Sequence, residues 1–130
     1  MTAVRSPYEL EFRSLGGELQ VVIRGNDRHP DNVLACWREI AIQAQRRDAV
    51  RLLAISHVAG EPMPMDKMPA FMASMAGLGL EGVRVAYVDM QGFKTTLMET
   101  AEIMATEEGF SVRVFDNLIA AEMWLRHGDE

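Results

Sequence analysis

Between Val50 and Ser56 the chain reads Val50-Arg51-Leu52-Leu53-Ala54-Ile55-Ser56, an almost unbroken apolar run. A strand of this composition has no side to offer to water. It must be covered on both faces, as central strands of parallel sheets are. That single requirement points to an α/β arrangement, and the segments around it agree. Tyr8, Leu10 and Phe12 alternate with Glu9, Glu11 and Arg13, and Leu19, Val21 and Ile23 alternate again after Gly16-Gly17. Period two marks half-buried strands, and paired glycines supply a tight turn, so this stretch reads as a β-hairpin.

Helical spacing takes over after the turn residues Gly25 to Pro30. Val33, Trp37, Ile40, Ala41 and Ala44 recur on one face, with Pro30 fitting a first turn, Asp31 placed to cap and Arg46-Arg47 at the end. Asp66 is placed to cap a second helix, with Pro69 in its first turn and a stripe of Met65, Met68, Phe71, Met72 and Met75. Val83 to Val88 alternates as a strand. A third helix is expected from Phe93 to Glu108, with Phe93, Leu97, Ala101 and Met104 as its stripe and Gly109 as its stop. Ser111 to Phe115 is the last strand, and Asp116 caps a final helix carrying Leu118, Ala121, Trp124 and Leu125.

The order is ββαβαβαβα. The fold class is therefore α/β, with a five-stranded mixed, mostly parallel sheet, an N-terminal hairpin at one edge and four helices. One sheet face reads Leu19-Val21-Ile23, Val83-Val85-Tyr87 and Val112-Val114. The other reads Gln20-Val22-Arg24, Arg84-Ala86-Val88 and Arg113-Phe115. The second is half polar, as expected if the helices stack mainly on the first and the strands run in sequential order. Trp124 and Leu125 are expected to pack with Val112 and Val114.

At 130 residues the chain is expected to be a single domain, ordered from about Pro7 to His127. A formal net charge of −6 argues against nucleic acid as a partner. No apolar run approaches a membrane span, and Met1 to Arg5 carries no apolar signal core. Cys36 is the only cysteine, which suits a reducing cytoplasm.

Strand ends are where open α/β sheets bind ligands. Here they bring Ser56, His57 and Asp89 towards one rim. His57 with Asp89 would serve as a base and its orienter, and Ser56 or Ser74 as a nucleophile. The alternative is that His57 is a plain polar loop residue. No nucleophile elbow, metal-ligand spacing or phosphate loop accompanies them, so no metal and no cofactor is expected. Arg24, Arg84 and Arg113 would line up across neighbouring strands and bind an anion or meet acids of a second subunit, with a solvated sheet face as the alternative. The chain has ten methionines. Flexible thioethers adapt to varied apolar surfaces, so Met63, Met65, Met68, Phe71, Met72 and Met75 are the candidate ligand or partner surface, with ordinary core packing as the alternative. Pro62, Pro64 and Pro69 before this helix, and Gly77 and Gly79 after it, would let it move as one piece.

Val83 to Asp89, then a helix closed by Gly109, then Phe110 to Leu125 resemble the small bacterial STAS/SpoIIAA-like domains. Val114-Phe115-Asp116 and Ala121 to Leu125 carry the likeness most clearly. Relatives of that group include anti-sigma-factor antagonists and sulphate-transporter STAS domains, and SEC14-like lipid-binding names are attached to it. The resemblance implies a non-enzymatic regulatory or binding module acting through protein contacts. Its alternative implication is a SEC14-like carrier of a small apolar ligand or lipid. The half-polar sheet face with Arg84, Arg113 and Phe115, together with the apolar edge strand, points to a homodimer. In the antagonists a serine of an Asp-Ser-Ser-Gly motif, at the start of the helix after the central strand, is phosphorylated. Here Asp66 is followed by Lys67, so no phosphorylation site carries over. A deep apolar cavity would favour the carrier, a closed core the protein-contact module, and His57 beside Asp89 an enzyme.

Overall fold

A computed structural model describes residues 8–26, 29–59, 64–90 and 96–128. β1 (Tyr8–Leu15) and β2 (Glu18–Gly25) pair antiparallel with Leu15 opposite Glu18, so Gly16 and Gly17 alone form the turn. Gly16 takes φ 61°, a left-handed conformation that side-chain-bearing residues resist. β3 (Arg51–Val58), β4 (Arg84–Asp89) and β5 (Ser111–Phe115) follow in parallel. The sheet has five strands in the order β1-β2-β3-β4-β5, with the antiparallel strand at the edge. This is the α/β architecture expected from the sequence.

The helices are α1 (Pro30–Arg46), α2 (Met68–Met75), α3 (Thr96–Glu107) and α4 (Leu118–His127). Single 3₁₀ turns, Met65–Lys67 and Ala76–Leu78, flank α2. Gly109 ends the third helical segment at φ 93°. The expected start of that segment at Phe93 lies outside the described residues.

The caps differ from expectation in each case. His29 caps α1, its Nδ1 accepting the Asp31 amide at 3.2 Å. Asp31 already lies inside the first turn, where it suits the dipole but cannot cap. Asp66 falls within the 3₁₀ turn, one residue before the N-cap position held by Lys67, and α2 has no side-chain cap. Asn117 rather than Asp116 caps α4, accepting the Ala120 amide at 3.1 Å.

Right-handed crossovers between strands in sequential order put every crossing segment on one face. Cys36, Ile40, Ala41 and Ala44 of α1 and Ala105 of α3 share one core with Leu19, Val21, Leu52, Ala54 and Val85. α4 lies on the opposite face. There Ala121 and Leu125 join Leu53, Ala86 and Val88, with Ile55, Phe115 and Trp124 around them. Trp124 and Leu125 are therefore not packed with Val112 and Val114. Those valines project to the α1–α3 side, while Arg113 and Phe115 meet α4.

A helix is about 10 Å wide and strands lie about 4.8 Å apart, so one helix covers two or three strands. α4 contacts β3, β4 and β5. The half-polar second face of β1 and β2 is what it leaves uncovered, and Arg24 there meets Glu11 at 3.1 Å. Glu18 is the exception, buried at the strand's start and held by Gln20 at 3.0 Å and Arg126 at 3.6 Å.

The three arginines do not form a row. Arg24 sits at the end of β2, beside His57, and Arg84 at the start of β4, beside Arg51. Arg84 instead donates to the carbonyls of Leu125 at 3.3 Å and Trp124 at 3.5 Å, closing the C-terminal end of α4. Its guanidinium and that of Arg113 each stand 5.5 Å from the Trp124 ring.

Candidate functional site

Beneath α2, between that helix and the sheet, lies a cavity of about 180 Å³. α2 packs against α1 and α3, and its Met72 and Met75 reach the core without filling the space below the helix. Its floor is Ile23 of β2, Ser56 and Val58 of β3, Val85 and Tyr87 of β4, and Val112 and Val114 of β5. α1 contributes Val33, Cys36 and Trp37, α3 contributes Ala101, Glu102 and Ala105, and Tyr8 closes the hairpin side. Met68, Phe71, Met72 and Met75 form the roof.

The stripe expected on α2 is thus present, with one correction. Met65 is 45% exposed and lies in the 3₁₀ turn before the helix, where the helical spacing that aligns the others does not apply. Met63 lies outside the described residues. α2's exit is tied down despite its glycines, since the Gln45 side-chain amide donates to the Leu78 carbonyl at 3.1 Å and Leu80 is buried.

The rim residues separate. β3 continues through Val58, so Ser56 and His57 are consecutive strand residues and face opposite sides. Ser56 and Asp89 are register partners on the cavity side. His57 lies in register with Arg24 on the other face. The base-and-orienter pairing of His57 with Asp89 is therefore not assembled. Ser74 is exposed on α2 and donates to the Ala70 carbonyl at 3.1 Å.

Polar groups around the cavity are few. Ser56 is fully buried, and its Oγ accepts the Val58 amide at 3.3 Å. Burial pushes the Cys36 thiol up from 9.0 to about 12, keeping it neutral. Glu102 accepts the Val114 amide at 3.1 Å and lies 3.9 Å from Arg113. It thereby occupies an amide on the open edge of β5, which an unpaired strand would otherwise present. Trp37 and Tyr87 rings stand 6.2 Å apart, tilted by 40°. Among the described residues no group of three or more His, Cys, Asp or Glu side chains converges to hold a metal, and no helix is long and apolar enough to cross a membrane.

Sequence reasoning found the roof but missed Tyr8, Trp37, Tyr87, Phe110 and the α3 wall. Each reads as ordinary core. The available signal was on α3, where Ala101 and Ala105 stand four residues apart. Two alanines on the face turned to a sheet leave volume that larger side chains would fill.

Compared with protein-family models and with curated proteins, the chain gives no match.

Proposed function

We propose that this chain is a non-enzymatic binding module that holds a small apolar compound between α2 and the sheet, in the manner of a carrier or ligand sensor. One observation carries the reading: the Met68, Phe71, Met72 and Met75 face roofs a cavity of about 180 Å³ instead of filling it. Close-packed interiors contain few voids larger than a water. An apolar void near 150 Å³ is already enough to take up benzene. The placement of His57 away from Asp89 removes the support for a catalytic rim. The likeness of Val83–Asp89 and Phe110–Leu125 to STAS/SpoIIAA-like domains supports the same reading through its SEC14-like branch.

The test is native mass spectrometry of protein purified from its own host. A retained small-molecule adduct, lost on mild activation and absent from an Ala105→Leu variant, is the expected result. A single bare mass, with no stabilisation by any small apolar compound, would remove the proposal.

A second reading, protein contact through a homodimer, is favoured by Ile119 and Met123, which are 73% and 60% exposed one turn apart on α4. Sedimentation velocity at micromolar concentration separates the two. A dimer broken by Ile119→Lys supports the contact reading, and a monomer ends it.

A further inference from the structure

We infer that the cavity selects a neutral, single-ring aromatic compound bearing one hydrogen-bond acceptor, which Ser56 recognises; this rests on the binding role proposed above. Three observations carry it.

The first is size. A void of about 150 Å³ lined by Leu, Ile and Phe takes benzene. At about 180 Å³ this one has room for a ring with a substituent of one or two heavy atoms.

The second is the wall. Tyr8, Trp37, Phe71, Tyr87 and Phe110 line the space, and three methionines lie above it. Aromatic edges and faces reward an aromatic guest beyond area burial, and thioethers add sulphur–ring contacts.

The third is charge and polarity. Among the described lining residues there is no Lys, Arg or His. The one lining carboxylate, Glu102, is directed at the Val114 amide and Arg113. Asp89, in register with Ser56 on the next strand, adds a second acid at that end. A carboxylate-bearing guest would enter beside two acids with no Lys, Arg or His among the described lining residues. An ammonium-bearing guest would give up its hydration in an apolar space whose lining carboxylate is already engaged by the Val114 amide and Arg113. Ser56 is fully buried on the cavity wall. Its oxygen already accepts the Val58 amide, so its proton is the donor left for a guest. A hydroxyl or ether oxygen on the ring would accept it.

The test uses four probes of matched size with the full chain: toluene, benzyl alcohol, benzoate and benzylammonium. Dissociation constants are measured by ligand-observed NMR at neutral pH for the native protein and for Ser56→Ala. The expected order is benzyl alcohol tighter than toluene, with both charged probes at least tenfold weaker than toluene. Ser56→Ala should weaken benzyl alcohol about three- to tenfold and leave toluene unchanged, the range a single neutral hydrogen bond spans. The ranking in the native protein stands as a test even if the variant does not fold. Benzoate or benzylammonium binding as tightly as benzyl alcohol would overturn the inference. So would a variant that weakens toluene and benzyl alcohol equally. If toluene binds and benzyl alcohol gains nothing, the acceptor claim fails while the cavity reading survives. If none of the four binds, both fail together.

Discussion

Ala105→Leu turns the cavity into a signed prediction about stability. Ala105 is 5% exposed on α3 and lines the void. Leucine adds three carbons there. At about 0.8 kcal/mol per buried methylene the gain is about 2.4 kcal/mol. Fixing the larger side chain costs about 0.5–1 kcal/mol. The lower helix propensity of leucine takes back a few tenths of a kcal/mol more, by rough estimate. The expected net effect is stabilisation by about 1–1.5 kcal/mol. In urea, with a slope of about 1–3 kcal/mol per molar, the midpoint should rise by about 0.3–1.5 M. A closed core gives the opposite sign, because overpacking costs about 1–3 kcal/mol. Ala41→Leu supplies the control. Ala41 is 2% exposed in the same core but does not line the void, so its replacement should destabilise. If both variants lower the midpoint alike, the space beneath α2 is not there to be filled and the functional argument falls with it.

Trp124→Ala should cost about 2 kcal/mol by urea denaturation, below the 3–5 typical of fully buried tryptophan, because Trp124 is only half-buried; a loss under about 0.5 kcal/mol would deny its packing on Phe115 at 5.9 Å. Cys36 should be unreactive to a thiol reagent at pH 8 in the folded chain and modified at once on unfolding, since burial holds its thiol up at about 12. The folded state keeps that proton longer than the unfolded chain does, so stability is full below pH 9.0 and falls as pH rises from there towards about 12. Cys36→Ala should flatten this part of the pH profile, and an unchanged alkaline slope would refute it. Hydrogen exchange should find the amides of Met68 to Met75 opening at far lower free energy than those of Val85 to Val88, because α2 is a short helix without a side-chain cap over an open space; equal protection would show a fixed roof.

What could be read from the sequence followed periodicity. Tyr8, Leu10 and Phe12 against Glu9 and Glu11 gave the edge strand, and the apolar run from Leu52 to Ile55 gave the central one, because each pattern is dictated by a neighbour's face. The polar second face of β2 correctly announced that helices cover the other side. What could not be read depended on a residue or two of boundary. Ending β3 at Ser56 left His57 in a loop free to turn towards Asp89; extending it to Val58 forces the two neighbours apart. The caps failed in the same way, since Asp31 lies two residues past the capping position and Asp66 and Asp116 one residue before it. The cavity was hidden because it opens where two of its lining residues, Ala101 and Ala105, are small. From sequence, Ala101 and Ala105 are as compatible with tight packing as with a void; the position of the α2 roof decides between them.

The most direct test of the central claim is a methyl NMR titration of protein labelled at the methionine methyl groups, using toluene as guest. Met68, Met72 and Met75 roof the cavity, while Met123 is 60% exposed on the far side of the sheet. The account predicts saturable shifts of the three roof methyls, by ring current, with Met123 unmoved. Roof methyls that stay still, or a Met123 methyl that moves in step with them, would contradict it.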